Sequence, residues 1–338
     1  MPLSLRPYSA NTFALSKVWF RCATVNFRET DFASINSSLK KWIYADLLIK
    51  PEEFLLFRPV NSGGLGLMSV KQKATAFLIR TFLELAANTK YIKSQYLSRI
   101  YRYHILGENI SCPPLPPYYN LTFINTILSA KSEGKDIVGM TTRQWYFYLL
   151  EKDVLKTTGE DGSIENVLSK IERKHPEYDW NEVWVKMRLP FLPSNVVSFI
   201  WKLIHNILTT EERLNSTLGN ISERCRYGCE DLRAANQIHC FFNCTLTYSL
   251  GQWLLQVVRR YGPLTESDIL KLNVPNNHAL IWVIASTLYY CWNKRVMKKS
   301  ADPLSFLAQL DSELKVMEET GQHQLAQEIR GILRQDTF

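Results

Sequence analysis

What the chain lacks narrows its class before any motif is read. No apolar run is long enough to cross a bilayer. The longest apolar run without a charge, roughly residues 279–292, falls well short of the ~20 residues a membrane helix needs and reads as a buried helix. The opening MPLSLRPYSANTF has no compact apolar segment followed by a small-residue cleavage site, so it does not read as a secretory leader. Alternating, strand-like runs are scarce, and internal repeats, heptad arrays and low-complexity segments are missing, which sets aside a repeat architecture or a coiled coil.

Catalytic signatures are equally thin. His104, His175, His205, His278 and His323 are scattered, with no nucleophile–base arrangement among them, and His205 on an apolar stretch reads as a core histidine. Tyr44-Ala45-Asp46-Leu47 starts like the Y-x-D-D signature of polymerases. Two-metal nucleotidyl transfer needs paired carboxylates, however, and here the second acid is a leucine. The glycine-rich SGGLG at residues 62–66 lacks both the Gly-Lys-Ser/Thr ending and a preceding strand of a phosphate-binding loop, so it reads as a structural turn.

What is present begins with 338 residues, 46% of them hydrophobic, enough for a sizeable core and two domains. The net charge of +8 is unevenly spread. Residues 1–110 hold 15 Lys/Arg against 7 Asp/Glu, whereas residues 111–338 hold 25 of each. The whole excess sits in the first third, as a nucleic-acid-facing surface would require; a solvated basic helical domain would look the same. Seven cysteines are an odd number, and four lie within 20 residues in metal-like spacing, which favours a reducing, intracellular setting, nucleus or cytoplasm.

Within CRYGCEDLRAANQIHCFFNC, Cys225, Cys229, His239 and Cys244 read Cys-x3-Cys-x9-His-x4-Cys. Three sulfurs and one ring nitrogen complete a closed tetrahedral shell for Zn²⁺, which leaves no open position for substrate and therefore staples a fold. Gly228 inside the first pair accommodates its width, and His-x4-Cys suits two ligands on a short helix with Phe241 and Phe242 as core. Cys240 adjoins His239 and could replace it as ligand, or be a buried thiol.

Helical spacing dominates elsewhere. Residues 34–48 place Ile35, Leu39, Trp42, Ile43 and Leu47 on one face. Ser69 is a candidate cap for a helix over 70–87, with Ala74, Phe77, Leu78, Thr81, Phe82 and Leu85 inward. A third helix covers 91–105. CPPLPP at 112–117 cannot continue a helix and marks a domain boundary. Beyond it, 141–156 and 164–174 read as helices joined by the polar turn TTGEDGS. They are followed by helices at 194–208 (capped by Ser194, buried through Val197, Ile200, Trp201 and Ile204), 246–261, 279–297, 303–319 and 322–334. The cations Lys294, Arg295, Lys298 and Lys299 close an apolar helix and complement its dipole; a phosphate contact is the other reading.

Trp180, Trp184, Pro193 through Phe199, Trp201, His205, Leu208, Thr210, Arg213, Leu214 and the four ligands form one block. That block resembles the zinc-binding region that follows the polymerase domain in non-LTR retrotransposon reverse transcriptases. Ala234-Ala235-Asn236 stand where such knuckles usually carry acids. RPVNSGGLGLMSVKQKATAFLIR resembles the thumb of the same enzymes, and ALIWVIASTLYYCWNKR the apolar helix downstream of their knuckle. Residues 105–175 match in position only.

The resemblance implies a mostly α fold. A helical thumb-like domain (1–110) and a proline-containing linker (111–140) would precede a helical C-terminal domain (141–338) whose zinc knuckle region spans about 180–262. It implies Cys225, Cys229, His239 and Cys244 as zinc ligands and RNA or DNA as partner. Lys40, Lys41, Lys71, Lys73 and Arg80 are the candidate phosphate contacts, by position on basic helices. Palm, aspartate pair, endonuclease acids and RNase H carboxylates are missing from the sequence, so the expected function is a non-catalytic nucleic-acid-binding module with any palm on a partner or parent chain. A protein-interaction scaffold or an inactive retroelement fragment is the alternative.

Overall fold

The computed structural model describes residues 1–22, 27–88, 92–116, 119–158, 164–229 and 234–334. Its helices are α1 (Leu15–Cys22), α2 (Glu29–Ile43), α3 (Val70–Ala87), α4 (Ile92–Tyr101), α5 (Leu121–Ser132), α6 (Thr142–Leu150), α7 (Lys170–Lys174), α8 (Trp180–Met187), α9 (Ser194–Ile204), α10 (Glu211–Leu218), α11 (Tyr248–Arg259), α12 (Glu266–Leu270), α13 (His278–Val296), α14 (Pro303–Glu319) and α15 (His323–Arg334). Short helical turns fill several of the connections. The mostly helical architecture expected from the periodicity is what the chain adopts. The exception among the described residues is one antiparallel ribbon, β1 (Lys156–Thr158) and β2 (Ile164–Asn166), with Thr157 opposite Glu165.

That ribbon corrects the helix expected over 164–174, and the reason is local. Ser169 is the true helix start: its hydroxyl accepts the Glu172 amide, and the Glu172 carboxylate returns to the Ser169 amide at 2.6 Å. This capping box satisfies amides that a continuous helix would bond itself, so the preceding residues are released to pair as a strand. The turn expected between the two segments lies largely outside the described residues.

Other differences follow the same logic. The helix expected at 34–48 runs instead over Glu29–Ile43, because the Arg28 amide is held by Asp31 at 2.8 Å at its start. Trp42, expected inward, is exposed, and so is Leu85; α3 instead turns Val70, Ala76, Ile79 and Leu83 inward along with Ala74 and Phe82. Ser69 does occupy the N-cap of α3, but its hydroxyl bonds the Gln72 side chain and not the helix amides. Pro193, not Ser194, caps α9, while Val197, Ile200, Trp201 and Ile204 are buried as expected. Residues 107–116 carry no helix or strand, but α5 lies inside the stretch 111–140 and buries Phe123, Ile124 and Ile127.

Two helices organise the packing. α3 is touched by α1, α2, α4, α5 and α6, and α13 by α9, α11 and α15. α13 buries every residue from Ala279 to Leu288. A helix apolar on all sides must be surrounded, and each of its large side chains contributes ~1.5–3 kcal/mol on burial. Its uncharged run is therefore a core helix, and no described helix is long and apolar enough to cross a membrane.

The two halves share one hydrophobic core, running from Leu3 to Ile332. They are clasped at the glycine turn. Gly63 has φ +82°, and a Cβ there would meet the Trp184 indole at 2.4 Å; one on Gly64 would meet the Arg58 carbonyl oxygen at 2.0 Å. The Gly63 carbonyl accepts Trp201 Nε1–H at 2.8 Å and His205 Nε2 at 3.0 Å, and Gly64 O accepts Arg188 at 3.0 Å. The amides of Gly63, Gly64 and Gly66 bond Val60, Pro59 and Arg58 carbonyls, so none points outward to hold a phosphate. Beside the turn, Arg58 pairs with the buried Glu172 at 2.7 Å, and Trp184 Nε1 donates to the same carboxylate at 3.3 Å.

His205 lies in this clasp, stacked on Trp184 (ring centroids 5.1 Å apart, 9° between planes) and tilted against Trp201. Facing a carbonyl oxygen, its Nε2 must carry the proton. Burial pushes its pKa down from 6.5 to about 4.

Two outcomes follow. Gly63→Ala is expected to cost ~3 kcal/mol or more, combining a left-handed backbone with overpacking. Gly107→Ala, also left-handed but facing open space, is expected to cost only ~1 kcal/mol; urea unfolding compares them. Because the folded pKa of His205 lies below the unfolded one, its contribution is intact above pH 6.5 and is lost as pH falls from 6.5 towards 4. In that window His205→Gln should flatten the stability-versus-pH slope by ~1.4 kcal/mol per pH unit, read from urea midpoints.

Candidate metal centre

Cys225, Cys229, His239 and Cys244 converge on one point, with one ligand atom from each lying within 4.8 Å of the others. Each is placed by local structure. Gly228, at φ +72°, turns the chain so that Cys229 comes back beside Cys225. The Asn236 side chain caps the next segment by accepting the His239 amide at 2.9 Å. A single wide helical turn follows over His239–Asn243, and its closing bond, Cys244 N–H to His239 O at 2.7 Å, sets the imidazole and the last sulfur on one side. Phe241 and Phe242 point the other way and are buried in the main core, as their place between two ligands suggests. The residues that stand in for the usual acids before the histidine have their own roles. Asn236 supplies the cap, and Ala235 is fully buried against Cys225 and Cys244.

The spacing of the sulfurs suits a tetrahedral metal ion and not a disulfide. Cys225 Sγ and Cys229 Sγ each lie 3.8 Å from Cys244 Sγ. A disulfide requires about 2.05 Å, whereas a tetrahedron with metal–sulfur bonds of about 2.3 Å has sulfur–sulfur edges of about 3.8 Å. Three thiols and an imidazole at those distances fit a tetrahedral metal of zinc type. Cys240 is not in the group: its thiol is fully buried, faces Ala235 O at 3.8 Å, and is pushed up by burial. The alternative ligand is therefore set aside in favour of His239.

The surroundings treat the sulfurs differently. Burial pushes Cys244 up to about 12, reinforced by the thiols of Cys225 and Cys229. Burial also acts upward on Cys229, but the Thr245 amide (3.4 Å) and hydroxyl (3.5 Å), together with the neighbouring thiols, outweigh it and leave Cys229 below its ordinary value. A dication held by these residues would supply the positive charge needed to deprotonate all three thiols.

Two residues gain partners that sequence alone does not reveal. Arg295, expected only to complement a helix dipole, is buried with Glu211 and reaches Cys225 Sγ at 3.8 Å. Asp46, the lone acid of the polymerase-like tetrad, is bonded to Arg6, which holds its carboxyl below the usual range.

The candidate phosphate contacts separate into two groups. Lys40, Lys41 and Lys71 line one groove of about 890 Å³ together with Lys50, which charge counting alone does not pick out. Lys40 pairs there with Glu53, and Lys71 with Glu29 at 2.9 Å, while Lys41 and Lys50 are exposed. Lys73 and Arg80 lie apart from it. Lys73 stacks over Phe77 and Tyr146, its pKa lowered by burial and by Arg143, and Arg80 bonds Glu84 and the Val138 carbonyl. No protein-family model and no curated protein matches this chain.

Elemental analysis of the purified protein is expected to find about one equivalent of metal, zinc by donor preference. Cys229→Ser should lower that content and destabilise the fold around the knuckle, because metal binding at such a site is folding free energy. Cys240→Ala should leave the stoichiometry unchanged.

Proposed function

We propose that the protein is a zinc-stapled, non-catalytic nucleic-acid-binding module related to the C-terminal part of a non-LTR retrotransposon reverse transcriptase. The observation that carries this reading is the groove between α2 and the segment after it, where Lys40, Lys41, Lys50 and Lys71 gather in the third of the chain that holds the whole basic excess. Lysines strung along a groove suit a phosphate backbone, which is held by charge and not by sequence. The Cys₃His centre has no role in chemistry here: its four protein ligands would fill a tetrahedron, and its work is to tie Cys225 and Cys229 to the His239–Asn243 turn, which packs on α11 and α13. RNA or DNA is the partner, and a palm, if the module serves one, comes from another chain.

A protein-interaction scaffold is the second reading. It is favoured by an apolar groove of about 730 Å³ lined by Phe191, Trp282, Tyr290 and Phe306, with exposed Met297 and Val316 along it. The ion pairs of Lys40 and Lys71 also reduce the positive potential of the lysine groove.

Fluorescence anisotropy with duplex DNA and hairpin RNA separates the two. The first reading expects binding that weakens with salt. It also expects Lys41→Glu with Lys50→Glu to reduce affinity about tenfold or more and to flatten the salt slope by ~1 for each phosphate no longer neutralised. Salt-insensitive or absent binding by the wild type, or indifference to the charge reversal, favours the scaffold. Primer extension by this chain alone would overturn the non-catalytic assignment.

A further inference from the structure

The charge of the metal centre calls for compensation. Three thiolates, one neutral imidazole and a dication sum to −1, and this charge would be held largely out of water: Cys244 is 0%, His239 3% and Cys225 8% exposed. A net buried charge is costly unless an opposite charge meets it.

One group meets it. Arg295, in the last turn of α13 and 2% exposed, sends Nη2 to both oxygens of Glu211 (2.9 and 2.8 Å) and to Cys225 Sγ at 3.8 Å. Its guanidinium lies over the Tyr227 ring at 4.7 Å, and its carbonyl accepts the Tyr227 hydroxyl at 2.9 Å. Arg226, two residues before Gly228 in the same loop, adds Nε to Glu211 at 2.7 Å. Glu211 itself opens α10, immediately after the cap Thr210, where the helix dipole favours a carboxylate.

Counting charges separates a merely structural ion pair from something more. Arg295 with Glu211 alone would be neutral and would need no sulfur. The three residues Arg226, Glu211 and Arg295 together carry +1, equal and opposite to a metal bound by three thiolates and an imidazole. The contact that joins the two charges is the one from Arg295 to Cys225.

We propose that Arg295 is a positioning residue for the metal centre. It compensates the charge of the metal–thiolate group through Cys225 and docks the 225–229 loop on the end of α13, with Glu211 and Tyr227 holding its guanidinium in place. This rests on the metal reading above. Groups that orient and neutralise metal ligands in this way set affinity as well as shape.

The test is zinc affinity by chelator competition on the full chain, with the S→Co(II) charge-transfer band of the cobalt-substituted protein as a second readout. Arg295→Gln is expected to weaken zinc 10–100-fold and to move the band to lower energy, since the sulfur loses a cationic N–H donor. Arg295→Lys, which keeps the charge, should recover part of both. Should Arg295→Gln alone fail to fold, the double variant Glu211→Gln/Arg295→Gln replaces the buried pair by two amides and leaves positive charge only on Arg226, whose side chain is 48% exposed and screened by water, so the same loss of affinity and band shift are expected of it. Wild-type affinity within twofold or an unmoved band in Arg295→Gln overturns the proposal. So does recovery of wild-type affinity in the double variant, which would reduce Arg295 to a fold-supporting ion pair. A wild-type chain that binds no zinc at all would instead overturn the metal reading itself.

Discussion

The space left by one missing methyl group holds the two halves of this protein together. Gly63 has no Cβ, and the Trp184 ring fills the position a side chain would occupy. The same residue offers its carbonyl to Trp201 and His205, so a single peptide unit fixes α8 and the C-terminal end of α9 at once. From there the constraint travels by packing alone. α9 lies on α13, α13 carries Arg295 at its last turn, and Arg295 reaches the metal centre. Gly251 continues the same principle on the far side of the knuckle, where a Cβ would meet the Phe241 carbonyl oxygen at 2.2 Å, so α11 rests directly on backbone. Close backbone approach at these two glycines is what lets a large aromatic core and a small metal knuckle share one body.

The metal centre and the lysine groove have different physical characters. The first is a satellite of the core, made of Cys225, Ala235 and Cys244 with Tyr227, Cys229 and Leu246 around them, and its geometry comes from short-range backbone bonds. The second is a surface of long side chains whose charges are partly spent on Glu29 and Glu53. Exposed ion pairs of that kind contribute little to stability. The groove's acids therefore tune its potential without closing it.

Much of this is legible in the sequence because the signals are local. Helix 70–87 coincides with its expected span, and the last helices do so within a residue, since periodicity and caps act over a few turns. The four ligands can be named because Cys-x3-Cys and His-x4-Cys are properties of a short stretch. What is not legible is set over distance. The face that α3 turns inward depends on α4 and α6, which no pattern within α3 announces, and Leu85 is left outside as a result. Arg295 reads as a dipole-complementing cation because Glu211 lies 84 residues away. Lys50 has no helix beneath it to mark it, and the groove it joins is made only by folding. At 164–166 a local signal overrides the helical reading: Ser169 and Glu172 spell the helix start, and the residues from Ile164 onward precede it.

The glycine clasp also has a consequence in time. Trp201 and Gly63 are separated by 138 residues, so a chain made from its N-terminus holds the turn long before its partners exist. During that interval α3 and its neighbours can pack, but the Gly63 carbonyl waits for the Trp201 and His205 donors. Contacts of such sequence separation are the slow ones in folding, since the intervening loop must be closed before they return any free energy. The first hundred residues are thus an unfinished surface during synthesis, completed by an element that also carries the way to the knuckle.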